Sequence, residues 1–297
     1  MRVMKKLLVV GGASYDSVIY MGEFPGVGTH YSKDFHETAG STGVGKAINF
    51  GKLGFDTTFH AMIGDDLYGD KIKEGFKGEN VDFIYDIDPK GTERHMNIID
   101  DNGRRISIYV AYATFEPEVN YTRLEEKAKA SDYLVLNIIN YARELIAVAN
   151  KYNKPIWCDI HDYDGENEYH QDFIEAADYL FMSSESLPNY KEFMEKMIAE
   201  GKKLVICTHG KEGATALTAD GQWIEIPIID DYEMVDSNGA GDSFFTGFLY
   251  GFSKGYSVQK SLRIGTIVAG LCITSYELAY EKLSEELIEA EYNKYYG

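Results

Sequence analysis

Short apolar runs alternate along this chain with longer stretches in which apolar residues recur every three or four positions. The runs at 6–10, 57–63, 133–138, 155–159, 179–182 and 203–208 are short and mainly apolar, the pattern of strands buried on both faces. The stretches at 44–53, 67–78, 121–130, 141–152, 187–200, 240–251 and 258–276 have the period of helices packed along one side. Strands separated by such helices build βαβ units, so the pattern predicts a mainly parallel sheet covered on both faces. Two regions break the alternation. Residues from about 15 to 38 are mixed and aromatic, without helical period. From about 92 to 112, Met96 and Ile98 alternate on one arm and Ile106, Ile108 and Val110 on the other, with Asn102-Gly103 between them as a hairpin turn signal. Neither region fits a parallel core, and both are read as a small β lid.

Composition narrows the picture. A chain of 297 residues holds two ordinary domains or one large α/β domain. No linker or repeat divides this one, so a single domain spanning 1–297, with the lid segments inserted, is expected. Its 29 Lys and Arg against 48 Asp and Glu leave a formal charge of −19. That excludes a sequence-independent nucleic-acid binder, which needs a basic face, but not a small anionic ligand, which backbone N–H groups can hold. Cys158, Cys207 and Cys272 lie far apart without a CxxC pair, as in a reducing compartment. Arg2, Lys5 and Lys6 precede Leu7 to Val10 in imitation of a signal peptide, but Gly11-Gly12 ends the apolar run too soon. No run approaches the ~20 apolar residues of a membrane span. A cytoplasmic protein with no membrane partner is expected.

Two glycine-rich segments carry chemistry. Gly40-Ser41-Thr42-Gly43-Val44-Gly45-Lys46-Ala47 reads GxxxxGK. A P-loop also needs a hydroxyl after the lysine and a buried strand before the loop; Ala47 and the polar 30–38 supply neither. What remains is either a plain helix entry or a loop whose N–H groups meet ligand oxygens. Val235 to Asp242 (Val-Asp-Ser-Asn-Gly-Ala-Gly-Asp) leads into an apolar helix, and glycines there leave the helix's first N–H groups open to negative charge. Asp242 in the first turn is either a dipole-compensating residue or a base that takes a proton from a hydroxyl attacking a phosphoryl group.

Asp236 to Asp242 resembles the ATP-site signature Asp-Thr-x-Gly-Ala-Gly-Asp of the ribokinase-like (PfkB) carbohydrate kinases, with Ser237 in the threonine place. Other pieces follow in that family's order. Val9 to Asp16 resembles its first strand and substrate-binding aspartate, and Gly40 to Ala47 its Gly-Gly-x-Gly-x-Asn substrate loop. Gly64-Asp65-Asp66-x-x-Gly69 is a common run there, and Thr208-x-Gly210-x-x-Gly213 is similar to its nucleotide loop. The resemblance covers nearly the whole chain. It implies a three-layer α/β/α domain with a mainly parallel central sheet and a small β-sheet lid. It also implies an ATP-dependent kinase that moves the γ-phosphoryl group to a hydroxymethyl group of a small sugar or sugar derivative.

By the same resemblance Asp242 is the catalytic base and the N–H groups of Gly239, Ala240 and Gly241 form an anion hole. Thr208, Gly210 and Gly213 lie along ATP, and Asp16, Gly40, Ser41, Gly43 and Gly45 along the substrate. Mg²⁺ accompanies ATP, and Asp236 either helps bind a monovalent cation such as K⁺ or caps a turn. The lid closes over the substrate, and members often pair through it, so a homodimer is expected.

Three departures matter. Gly45 replaces the substrate-loop asparagine and Ser41 one of the paired glycines, which leaves the substrate open. The Mg²⁺-associated Asn-x-x-Glu aligns with Ser183-Ser184-Glu185-Ser186, so the carboxylate shifts by one place to Glu185. His209 stands where leucine is usual. The acidic, histidine-bearing segment 159–170 has no metal spacing. Within it Asp159, at a strand's C-terminal end, either organises Mg²⁺ through water or caps a loop. Tyr109, Tyr112 and Phe115 are candidates to stack on a sugar or a base. A nucleoside kinase of the same fold and a non-catalytic sugar or nucleotide sensor stay open beside the sugar kinase.

Overall fold

The computed structural model describes residues 5–297, so Arg2 of the basic N-terminal stretch lies outside the described residues. The strands are β1 (Lys6–Val10), β2 (Ser14–Tyr20), β3 (Asp34–Gly40), β4 (Asp56–Ile63), β5 (Val81–Ile87), β6 (Arg94–Ile99), β7 (Arg105–Ala111), β8 (Tyr133–Asn137), β9 (Ile156–Asp159), β10 (Tyr179–Ser183), β11 (Leu204–Thr208), β12 (Ala214–Thr218) and β13 (Trp223–Ile226). The helices are α1 (Thr42–Lys52), α2 (Leu67–Gly75), α3 (Tyr121–Ala130), α4 (Glu144–Tyr152), α5 (Gln171–Ala176), α6 (Tyr190–Ala199), α7 (Ala240–Ser253), α8 (Val258–Cys272) and α9 (Glu285–Tyr296).

Nine strands form one sheet in the order β13-β12-β11-β10-β9-β8-β1-β4-β5, parallel from β11 to β5 and antiparallel only at the β12–β13 edge. β1 shows why its sequence is a continuous apolar run. Leu7 and Val9 enter the core under α1, α7 and α8, while Leu8 and Val10 enter the one under α3, α4 and α6. Successive side chains point to opposite faces, and here both faces are covered. The result is the three-layer arrangement expected. Trp157 on β9 is fully buried and stacks on Tyr179 at 3.9 Å between ring centroids. At ~25 cal/mol per Å² the ~200 Å² of such a ring is worth about 5 kcal/mol before entropy is subtracted.

The two irregular regions form a separate four-stranded sheet, β3-β2-β6-β7. β6 and β7 are the expected hairpin, turned through Asn102 and Gly103 (φ +75°), with Asp100 accepting from the N–H groups of Asn102 and Arg104. Several element ends differ from the periodic reading. The helix expected over 187–200 begins only at Tyr190, because Pro188 disfavours helical geometry at Leu187. The one expected to 276 stops at Cys272, where the hydroxyls of Thr274 and Ser275 donate to the last carbonyls. β5, β12, β13, α5 and α9 carry weak apolar periodicity and lie outside the elements that the pattern predicts. The C-terminal ends of β1, β9 and β11 converge with the N-termini of α1 and α7, where open α/β sheets gather their ligands.

Candidate active site

α1 meets α7 at Gly45: a Cβ there would lie 3.3 Å from Asp242 Oδ2, so glycine permits the approach. Asp242, in the first turn of α7, is 8% exposed. Its Oδ1 accepts a short hydrogen bond from Lys46 Nζ. Lys46 is fully buried; its ammonium also lies 3.4 Å from Asp159 Oδ2 and 5.1 Å from the Phe245 ring centroid. Asp159 in turn accepts from the His161 N–H at 3.0 Å. One cation therefore serves two buried carboxylates. Burial pushes the Asp242 carboxyl above the usual carboxylate range although Lys46 opposes it. Burial also disfavours the charges on Asp159 and Lys46, but there the opposite charges outweigh it. His161 and Lys46 hold Asp159 below its ordinary value, and Asp242 and Asp159 hold Lys46 above its own. Lys46 thus sits among carboxylates inside the fold, not in a phosphate loop.

On one side of Asp242 lies the loop before α7. Gly239 (φ +78°) caps the helix in left-handed geometry that favours glycine. Among the described residues no acceptor takes the N–H groups of Gly239 and Gly241, whereas that of Ala240 reaches the Ser237 carbonyl at 3.3 Å. Beside them a cavity of about 310 Å³ is lined by Thr208, Gly210, Gly213, Ser237, Ala240 and Gly241, with Ile229, Phe244 and Ile273 supplying apolar wall. That volume and lining fit a small-molecule site. Gly213 (φ +97°) leaves no room for a side chain, since a Cβ would fall 2.0 Å from the Ile226 carbonyl oxygen. Asp236 accepts from the Asn238 N–H (2.8 Å) and from the Tyr20 hydroxyl (2.7 Å), and Arg105 donates to Asn238 Oδ1 (3.0 Å). The small sheet is tied to this loop at both points.

The other side is built by the small sheet. Asp16 on β2 is 4% exposed; Asn97 Nδ2 donates to its Oδ2 at 3.3 Å, and His95 Nδ1 lies 3.2 Å from its Oδ1. His95 Nε2 lies 3.0 Å from Glu93 Oε1. Burial opposes the imidazolium, but the two carboxylates outweigh it and raise His95 to about 9. Gly40 backs directly onto Asp16, where a Cβ would lie 2.3 Å from Oδ2, and Gly43 presses on the Gly12 carbonyl. Ser41 holds a positive φ of 76° at the N-cap of α1 without a side-chain capping bond. Asp16, Gly40, Ser41, Gly43 and Gly45 therefore do converge. His95, Asn97 and Glu93 were missed. Their signal was the polar half of the hairpin's alternation, which places His95 and Asn97 on one face of β6 opposite Met96 and Ile98.

Other candidates stand apart. Glu185 is exposed in the loop after β10, and its own N–H donates to Ser183 Oγ. His209 bridges the hydroxyls of Ser184 and Thr215, each at 2.9 Å, and packs on Tyr190. Tyr109 packs on His95, while Tyr112 and Phe115 are exposed. Among the described residues no cluster of three or more His, Cys, Asp or Glu is arranged to hold a metal, and no helix is long and apolar enough to cross a membrane. Sparse carboxylates still fit Mg²⁺, which keeps its waters and takes oxygens from substrate phosphates.

The parallel sheet covered on both faces and the separate small sheet match the ribokinase-like α/β fold, and within it a buried carboxylate stands at a helix N-terminus with open N–H groups, next to the cavity. The profile of the pfkB family carbohydrate kinases matches residues 4–284, and the chain belongs to that family. It is an ATP-dependent carbohydrate kinase. The acarbose 7(IV)-phosphotransferase of Actinoplanes sp. (strain ATCC 31044 / CBS 674.73 / SE50/110) is 27% identical over 274 residues, 90% of this chain and 92% of that relative. The ribokinase of Lactococcus lactis subsp. lactis (strain IL1403) is 28% identical over 98% of this chain and all of its own length (100%). The structure of a microbiome-derived acarbose kinase superposes with a TM-score of 0.87 at 26% identity, covering 97% of this chain and 99% of the other.

Proposed function

We propose that this kinase transfers the γ-phosphoryl group of ATP to a hydroxymethyl group of a sugar or sugar derivative, with Asp242 as the base. The acceptor oxygen attacks the γ-phosphorus and its proton passes to Asp242. The bond from that phosphorus to the β–γ bridging oxygen breaks, and ADP leaves. The observation that carries this reading is the position of Asp242, between the cavity lined by Thr208 and Gly241 and the glycine loop that backs Asp16. ATP lies along Thr208, Gly210 and Gly213, and the N–H groups of Gly239, Ala240 and Gly241 stabilise the charge developing on the transferred group. Mg²⁺ would supply neutralisation of the phosphates when bound, and the exposed carboxylate of Glu185 after β10 would hold its waters, since Asp159 is taken up by Lys46 and the His161 N–H. A monovalent cation at Asp236 would share that carboxylate with the Tyr20 hydroxyl and the Asn238 N–H. The small sheet acts as a lid, and its ties to the loop before α7 favour a closed site from which water is excluded.

On the acceptor side Asp16, with His95 and Asn97, offers a polar floor for sugar hydroxyls. Gly45 in place of asparagine removes a side chain beside the base, and Tyr109 and Tyr112 offer aromatic surface near the hairpin end. Together with relatives named for acarbose, these features favour an acceptor of more than one ring. The exposed Ile106, Ile108 and Val110 of β7 favour a homodimer through the lid edge; a monomer by sedimentation at micromolar concentration would contradict it. ATP use and three free, buried cysteines favour the cytoplasm.

The deciding experiment measures ADP release from Mg·ATP with ribose, fructose, acarbose, maltose and adenosine, and identifies the phosphate ester by ³¹P NMR. Acceptor-dependent ADP release with a matching sugar ester supports the reading. Stimulation by adenosine alone replaces it with a nucleoside kinase, and ATP binding without turnover by any acceptor favours a sensor.

A further inference from the structure

We propose that Lys46 is a positioning residue for phosphoryl transfer: it grips Oδ1 of Asp242 and so leaves Oδ2 as the oxygen that receives the acceptor's proton. This rests on the reading of Asp242 as base. The two oxygens of Asp242 have different surroundings. Oδ1 is taken by the Lys46 ammonium, while Oδ2 faces Gly45, whose lack of a side chain keeps that approach open. Among the described residues no hydrogen bond occupies Oδ2.

Lys46 is itself held from three directions. Asp242 lies on one, Asp159 Oδ2 at 3.4 Å on the second, and the Phe245 ring on the third. Asp159 is fixed at the end of β9 by the His161 N–H. The chain of contacts from β9 through Lys46 to α7 therefore prevents rotation of the Asp242 carboxylate about its Cβ–Cγ bond. A fully buried lysine is costly to desolvate, and an apolar residue of similar length would fill the same space. The charge is thus explained by what it holds. It also fits the proton bookkeeping: when Oδ2 takes the proton and Asp242 becomes neutral, Asp159 still balances the ammonium. Orientation of a reacting group is worth a great deal, and a misplacement of ~1 Å costs on the order of 100-fold in rate.

The test uses Lys46→Met, Lys46→Arg and Lys46→Ala, with the acceptor of the panel above that the wild type turns over fastest. Lys46→Met is expected to lower kcat on the order of 100-fold while leaving KM for ATP and acceptor unchanged. Lys46→Arg should recover part of the loss, and propylammonium should raise kcat of Lys46→Ala saturably. A loss shared between kcat and both KM values, with no rescue by Arg or amine, would overturn the proposal. Where the uncharged variants do not fold, Lys46→Arg decides by the kinetic split: a lowered kcat at unchanged KM for ATP and acceptor supports the proposal, and a loss shared with the KM values overturns it. Full turnover by Asp242→Asn would remove the base reading and this inference with it. An inactive Asp242→Asn beside fully active Lys46 variants would remove this inference alone.

Discussion

Replacing Asp242 by asparagine separates the chemistry of this carboxylate from its structural role. The amide keeps the volume, and its oxygen still accepts from Lys46, so the helix start and the lysine stay in place. What disappears is the proton acceptor. General-base catalysis contributes typically 10²–10⁴-fold, about 3–5 kcal/mol of barrier, and kcat should fall by that factor. Stability should change far less. Breaking a buried ion pair by removing one partner costs about 3–5 kcal/mol when the other charge is stranded. Here Lys46 retains Asp159 at 3.4 Å. The native site also disfavours the Asp242 charge, since burial pushes its carboxyl upward, so neutralising it returns part of the loss. The net change is then about 1–2 kcal/mol, a few degrees in Tm for a chain of this size. Three measurements complete the assay: ADP release at saturating Mg·ATP and acceptor, calorimetric ATP binding, and thermal melting. Turnover within tenfold of wild type would refute the base. A collapse of the melting transition at unchanged kcat would refute the sharing of Lys46 between two carboxylates.

Two further outcomes follow from the geometry on the acceptor side and in the core. Gly40→Ala places a Cβ on Asp16 Oδ2. It should raise the acceptor KM on the order of tenfold, about 1.4 kcal/mol, with KM for ATP unchanged; an unchanged acceptor KM would remove Asp16 from the substrate site. Stability should peak near pH 6.5, because two histidines move in opposite directions. His60, buried on β4 with its Nε2 3.1 Å from Asp86 Oδ2, is lowered from 6.5 to about 4, chiefly by burial, so its neutral form favours the fold and stability is lost as pH falls from 6.5 to 4. His95 is raised from 6.5 to about 9, so its contribution is complete below 6.5 and lost as pH rises to 9. After allowance for residual solvent, each limb is worth about 2 kcal/mol. Urea midpoints from pH 4 to 9.5 test this, and His95→Asn should flatten the alkaline limb; an alkaline limb equally steep in that variant would refute the His95 ion pairs.

The parallel core and the glycine turns are legible in the local pattern of residues. Leu7 to Val10 and Leu204 to Cys207 read as strands because burial on both faces leaves no polar position. The turn at Gly239 was visible because left-handed geometry before a helix calls for glycine. The same logic shows why β5, β12 and β13 were missed. β5 carries Asp82 and Asp86 at one edge of the sheet and β13 is largely exposed at the other, where burial no longer imposes a pattern, while the buried β12 is built of Ala and Thr with a single Leu and so shows no strong apolar run. The site divides the same way. Asp16 and Asp242 stand in motifs that a local reading finds. That Lys46 reaches across 196 positions to Asp242, and that His95 joins Asp16 from another strand of the small sheet, follows from the packing of distant elements. Periodicity records which side of an element avoids water. It does not record which distant charge lies opposite, because strand order and the packing of α1 on α7 set that distance, and in a low-dielectric interior that distance sets the chemistry.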